Sequence, residues 1–476
     1  MTYSDDFSTS LSRFSALVKD TIASYPCARS PVAMTRSPGV VDVMGGIVED
    51  SGSLVLTATL GLAVTASIWR VDGGHVHLRR AADGAKNGCD LPIAAFDPSG
   101  SAPEGLSALC REAGAEWALP SCLTLRQALK DGVIPGLDLG LMILLHSDFP
   151  PDADFSESWV QAAATIDGLC RLFGAPADRL QRSRVCAEAV APLTNLYNLR
   201  APITALCGSP DGSLLQLRFQ PKMMCQSLEL PAGVIVSAAR THLARPTTRR
   251  RMVDTRMCAE MGRRMIAQLQ QHDGARSDPA AVRLATITPA EYVNQYRDRL
   301  PSRITGEAFV AKFGTLRGID GQLNPENTYK IRSRAEHHIY ENNRVHEFAT
   351  CIVRARRNAS PEALARAGKL MYASHWSHSQ RCGIGGMEAD QLVTAIRSHG
   401  PEAGLFGAKV TGGGEGGEIV VLMRDDERAH IALAEAVATA EAAADHTILT
   451  FGGAVGGAEF FQPPKLDGIL GSPSAV

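Results

Sequence analysis

The sequence predicts an α+β protein in which strands and helices mix without a regular strand–helix–strand period. Three observations predict it. β-branched residues alternate over residues 54–68, apolar residues recur at helical spacing near both ends, and glycine turns separate short apolar runs. With 476 residues and 45% hydrophobic content, the chain can bury a sizeable core.

Taken in order, Leu11, Phe14, Leu17, Val18 and Ile22 place a helix within residues 1–30. Strands are expected over 54–68 and 76–78, where β-branched residues dominate. Residues 82–105 are rich in Gly, Asp and Pro and read as a loop. Helical patterns return over 106–131, a short buried strand is expected over 139–145, and an Ala-rich helix near 157–173. Strands over 214–217 and 233–238 precede helices over 253–272 and 288–300. Residues 324–345 read as a polar connection leading into helices that run to about residue 398. Strand, glycine turn and strand are expected over 409–411 and 418–423, then a helix over 427–444 and a last strand over 446–451.

Composition excludes several function classes. A net charge of −2 with 21% charged residues argues against a nucleic-acid binder, and Arg249-Arg250-Arg251 reads as a solvated face. No apolar run approaches the ~18–20 residues of a membrane span. The polar, acidic start does not resemble a signal peptide. Eleven cysteines without C-x-x-C pairs fit reduced thiols and a cytoplasmic protein. His337-His338 reads as a surface pair. His375, His378 and Cys382 have a helical spacing that admits zinc ligation.

The densest local signal is Lys409-Val410-Thr411-Gly412-Gly413-Gly414-Glu415-Gly416-Gly417, followed by Glu418-Ile419-Val420-Val421. Glycines between strands let the backbone adopt φ > 0 and present amides to an anion; the plainer alternative is a hairpin turn without a ligand. Together with Gly407-Ala408, this segment resembles the third motif of the GHMP small-molecule kinases. Arg36-Ser37-Pro38-Gly39, Asp42-Val43-Met44-Gly45-Gly46-Ile47 and Ser51-Gly52-Ser53-Leu54-Val55-Leu56 resemble the first motif, as galactokinases and the kinase part of arabinokinases carry it. Met261 to Ile266, Tyr329 to Arg332, Ile339 to Val345 and Leu370 to Ser379 are similar to arabinokinase segments in the same order, from about residue 30 to about 460. The resemblance implies a two-lobed α+β GHMP fold, with lobes at 1–215 and 216–476 and a cleft between them. It also implies ATP and magnesium as cofactors and a sugar-like small molecule as ligand. It implies no metal at His375, His378 and Cys382, because the family has a similar helix without one.

Several family positions are substituted. The second motif, a phosphate-holding loop at a helix N-terminus, falls on Pro150 to Trp159: Ser156 and Ser158 remain, while Asp154, Glu157 and Trp159 replace Gly, Ser and Ala. The acidic first turn makes Ser156 a candidate helix N-cap as well. The magnesium-binding glutamate falls on Ala162, the catalytic aspartate on Ala201 and the arginine ending the first motif on Val40. The sugar-contacting aspartate falls on Glu49, with Asp50 in place of tyrosine, and a further tyrosine contact falls near Met252.

Candidate ligand residues are therefore Glu49, Asp50 and Arg200 for substrate, the last for an anionic one. Gly45, Gly46, Ser156, Ser158, Gly412, Gly413, Gly414, Gly416 and Gly417 are the candidates for nucleotide. Three functions stay open: an ATP-dependent phosphotransferase on a sugar or related molecule, a pseudokinase that binds a ligand or a protein partner, and a repurposed enzyme.

Overall fold

The computed structural model describes residues 2–3, 7–27, 31–81, 88–100, 103–150, 156–194, 197–208, 212–241, 246–274, 278–316, 323–411, 417–444, 447–452 and 459–461. It shows the expected α+β fold, with mixed sheets and long helices. The chain divides into two compact units. One comprises residues 1–2, 41–58 and 211–454; the other comprises 3–40, 59–210 and 455–476.

The first unit is built on an antiparallel run of strands. Val234–Thr241 pairs with both Glu418–Arg424 and Ile448–Phe451, and Glu418–Arg424 pairs with Leu405–Val410. Ala-rich helix Glu427–Ala444 and helix Met387–His399 cover one face, burying Ala389, Leu392, Ile396, Ala429, Ala436, Ile419 and Val421 together. A second core joins helix Pro246–His272 to helix Ile331–Asn358 through Met261, Met265, Ile266, Ala335 and Ile339. Helix Pro361–Ser377 packs against strand Leu405–Val410. The contact is close because residue 368 is glycine: a Cβ there would lie 1.7 Å from the Phe406 carbonyl oxygen.

In the second unit, residues 64–71 of the long strand Val55–Val71 pair antiparallel with Gly140–Ser147, which pairs parallel with His75–Arg80. Helices Leu119–Lys130, Glu157–Leu172 and Arg179–Thr194 pack on one another.

Four expectations need correction. Residues 82–105 hold a strand, Gly88–Pro92, a 3₁₀ turn and the start of helix Pro103–Glu112, because Cys89 and Leu91 alternate inward despite the Gly and Pro content. The supposed polar connection over 324–345 is mostly the first half of helix Ile331–Asn358; its buried Glu336, His337, His338 and Glu341 hide the apolar period. His337 and His338 are accordingly buried, not a surface pair. The helix expected over 288–300 is a single turn, Pro289–Glu291, running into a π-turn at Tyr292–Tyr296.

Candidate functional site

In the first unit, Asp42-Val43-Met44 ends a strand and enters the 3₁₀ turn Gly46–Ser51. Gly45 and Gly46 have φ of 101° and 60°, values that glycine adopts without steric cost. The turn aims the Gly45 N–H at Glu341 Oε1, 3.2 Å away.

Glu341 is fully buried. Its Oε1 also accepts from Ser374 Oγ at 2.5 Å, and its Oε2 accepts from Arg344 Nε at 2.8 Å. Burial pushes this carboxyl up, but the charges of Arg344 and Lys409 and the Ser374 hydroxyl outweigh it and hold it below its ordinary value. Lys409, equally buried, donates from Nζ to the Val410 carbonyl at 2.6 Å.

Four buried histidines surround these charges. His378 Nδ1 donates to the Ser374 carbonyl at 2.9 Å and His338 Nδ1 to the Arg334 carbonyl at 3.0 Å. A carbonyl can only accept, so each carries its proton on Nδ1. His375 is the reverse tautomer: Nδ1 accepts from the Val410 N–H at 3.2 Å, and Nε2 lies 3.1 Å from Asp390 Oδ1. His337 Nδ1 sits 2.9 Å from Ser377 Oγ, and its ring meets His378 edge-on at 4.5 Å. Burial pushes His338 down to about 4, His378 down to about 3 and His337 well below its ordinary value. The backbone engages Nδ1 of both His375 and His378. Among the described residues, no group of three His, Cys, Asp or Glu side chains is arranged to hold a metal ion.

Glu49 is buried beside Arg256, whose Nη2 lies 2.8 Å from Glu49 Oε1 and whose Nε lies 3.2 Å from Asp50 Oδ2. Asp50 is exposed. The sequence reading missed Arg256. The signal available was its place in the basic helix Pro246–His272, three residues before Ala259 on the buried face.

The first and third motif segments meet directly, since the Asp42 N–H donates to Thr411 Oγ1 at 2.7 Å. Past the turn, the Gly417 carbonyl accepts from Thr241 N at 3.3 Å and from Thr241 Oγ1 at 2.9 Å. Gly417 has φ of 73°, and a Cβ there would meet Thr241 Oγ1 at 2.2 Å. Gly412, Gly413, Gly414 and Gly416 lie outside the described residues. The first unit therefore brings together Gly45, Gly46, Glu49 and Asp50, with Gly417 at the far end of the strand-turn-strand that Thr411 enters.

The other predicted residues belong to the second unit. Ser156 precedes helix Glu157–Leu172 in a left-handed conformation, φ 64°, and its side chain makes no capping bond, which corrects the N-cap expectation. Glu157 instead accepts from Ser147 Oγ at 2.6 Å. Ser158 is half-buried in the first turn. Asp152 and Asp154 lie outside the described residues. Ala162 and Ala201 are buried in helices, Val40 is buried in a strand, and Arg200 is buried at the start of helix Arg200–Cys207. Alanine offers neither a proton acceptor nor an oxygen ligand, so these positions supply no base and no magnesium carboxylate. The helix start at Ser156 and Glu157 offers a carboxylate, already bonded to Ser147, where the family loop carries a serine.

No protein-family model matches the chain. It is 25% identical over 489 residues to L-arabinokinase of Arabidopsis thaliana, covering 90% of this chain and 46% of that protein. A galactokinase of Clostridium beijerinckii is 29% identical over 143 residues, 28% of this chain and 34% of that protein. The galactokinase of Lactococcus lactis, solved with galactose, superposes with a TM-score of 0.70 at 16% identity, covering 93% of this chain and 99% of that one. This chain is similar in sequence to these sugar kinases and shares the galactokinase fold. The mevalonate kinase of Methanococcus jannaschii shares the fold more distantly, with a TM-score of 0.55 at 12% identity over 89% of this chain and 98% of that one. The chain spans less than half the length of the curated GHMP relatives it matches. No helix among the described residues is long and apolar enough to cross a membrane.

Proposed function

We propose that this GHMP-kinase relative is an arabinokinase- or galactokinase-like phosphotransferase that binds a sugar or related small molecule and uses ATP as phosphoryl donor. The observation that carries this reading is the bond from Asp42 N–H to Thr411 Oγ1, which joins the two glycine motifs beside the carboxylates of Glu49 and Asp50. In that arrangement Asp50, the exposed carboxylate, accepts hydrogen bonds from sugar hydroxyls, and Arg256 fixes its position. Glu49 acts behind it, as the buried partner that keeps Arg256 in place. ATP would bring its own magnesium, since no carboxylate stands at Ala162.

A second reading, a pseudokinase that binds its ligand without phosphorylating it, is favoured by Ala201 and Val40, buried where the family carries its base and its arginine. Losing a positioned base costs about 10²–10⁴-fold in rate. One set of measurements separates the readings: calorimetric titration with ATP, with and without magnesium, then ADP detection over a sugar panel including L-arabinose and galactose. Magnesium-dependent nucleotide binding with sugar-dependent ADP release supports the first reading. Sugar binding without nucleotide binding supports the second. Binding of neither sinks both.

A further inference from the structure

Outside this site, the second unit holds three cysteines that meet from three separate elements. Cys89 lies on strand Gly88–Pro92, Cys110 on helix Pro103–Glu112 and Cys122 on helix Leu119–Lys130. Cys110 and Cys122 are fully buried and Cys89 almost so. Their sulfurs are close: Cys110 Sγ lies 3.8 Å from Cys122 Sγ, and Cys89 is within side-chain hydrogen-bonding reach of both.

The surroundings hold the pair face to face. Ser121, next to Cys122, bonds through its hydroxyl to Thr165 Oγ1 at 2.8 Å and accepts from Gln161 Nε2 at 3.0 Å. The Cys122 end of its helix is thereby fixed against helix Glu157–Leu172. At the other end, the Ala115 N–H bonds back to the Cys110 carbonyl at 2.8 Å, closing the helix that carries Cys110. Two neighbouring thiols pull the Cys110 thiol down against the opposing effect of burial, while the same contacts and burial push Cys122 up. The trio thus places two sulfurs in contact with a third beside them, the arrangement a disulfide needs when one thiol is oxidised.

We propose that Cys110 and Cys122 are a reversible redox pair that closes to a disulfide on exposure to a hydroperoxide, with Cys89 the adjacent thiol able to exchange into it. The Cys110 sulfur attacks a peroxide oxygen as its proton leaves, the O–O bond breaks, the departing hydroxide takes that proton as water, and Cys110 becomes a sulfenic acid. Cys122 sulfur then attacks the Cys110 sulfur and expels water. Overall, two thiols and one hydrogen peroxide give one disulfide and two waters, the two thiols being oxidised and the peroxide reduced. A dithiol reductant restores both thiols by exchange.

The test uses the full wild-type chain. The folded protein is treated with stoichiometric hydrogen peroxide, quenched, denatured in the presence of an alkylating agent, digested and mapped by mass spectrometry. Trypsin cuts after Lys86, Arg111 and Arg126, so a link to Cys122 joins two peptides, and a second cut after acidic residues separates Cys89 from Cys110. The expected product is a Cys110–Cys122 link, lighter by the mass of two hydrogens, formed with unchanged circular dichroism and reversed by dithiothreitol. In Cys122→Ser the link moves to Cys89–Cys110. Recovery of all three as alkylated thiols while the exposed Cys225 is oxidised overturns the proposal. So does a link that forms only with loss of the folded circular-dichroism signal, or one from Cys110 to a cysteine outside the trio.

Discussion

Gly368→Ala reverses the sign that helix propensity alone dictates. Alanine is a better helix former than glycine by about 1 kcal/mol, so in an open helix the substitution stabilises. At residue 368 the added Cβ would sit 1.7 Å from Phe406 O and 2.3 Å from Phe406 C. An unstrained carbon–oxygen contact is about 3.3 Å or more, so helix Pro361–Ser377 must retreat from strand Leu405–Val410 by about 1.6 Å. Both atoms it meets are backbone of a strand paired with Glu418–Arg424, so neither can turn aside. Overpacking costs about 1–3 kcal/mol and more where the backbone must move. Set against the propensity gain, a net loss of about 2 kcal/mol or more is expected. Guanidinium unfolding followed by circular dichroism measures it as a lower midpoint at unchanged slope. Gly105→Ala is the control: residue 105 lies in helix Pro103–Glu112, and a Cβ there would meet nothing within 4 Å, so its midpoint should hold or rise. A Gly368→Ala midpoint equal to or above wild type would refute the close helix–strand contact, and with it the placement of Ser374, His375 and His378.

Three further outcomes are expected. Glu341→Ala removes the carboxylate that faces the half-buried Arg344 and the buried Lys409 and strips the Gly45 amide and Ser374 of an acceptor; denaturant unfolding should show a loss of about 3–5 kcal/mol. The neutral histidines make the fold acid-sensitive. Their folded pKa values lie below the unfolded value of about 6.5, so their contribution is complete above that pH and is lost as pH falls toward about 4 for His338 and about 3 for His378. By pH 5 the loss is about 2 kcal/mol per histidine, read from urea midpoints between pH 7.5 and 5, and a flat profile would contradict the neutral burial of these rings. Asp50→Asn should weaken binding of the sugar-like ligand with little change in melting temperature, whereas Glu49→Gln should lower the melting temperature because it unbalances the buried Arg256; calorimetry and thermal scans on both variants check the contrast.

Much of the fold was legible because its signals are local. Alternating residues such as Val64, Ala66 and Ile68 mark the long strand, and Ala429, Ala432, Ala436 and Ala440 mark the face of the last helix. The polar half of helix Ile331–Asn358 was not, because periodicity assumes that buried positions are apolar. There Glu336, His337, His338 and Glu341 are buried beside Ala335 and Ile339; Glu336, His337 and Glu341 are compensated by partners far along the chain, such as Gly45, Ser374, Ser377 and Arg381, and His338 by the Arg334 carbonyl one turn back. The glycines of the first motif could be read from the sequence; the use of their amides could not. Nor could Arg256, which owes its importance to register against Glu49, 207 residues away.

That register changes what the first glycine turn can do. A glycine-rich turn is a candidate anion site when its amides are open. Here the Asp42 N–H is engaged by Thr411 and the Gly45 N–H by Glu341, whose negative charge already lies behind the turn. An added anion at those two amides would displace existing bonds and face a buried carboxylate. The turn therefore contributes geometry: it ties the first motif to the strand that leads into the third and carries Glu49 and Asp50 to Arg256. Chemistry on a ligand falls to side chains beyond it, and of the two carboxylates only Asp50 is open to solvent, which is why the Asp50 variant should lose ligand binding and the Glu49 variant stability.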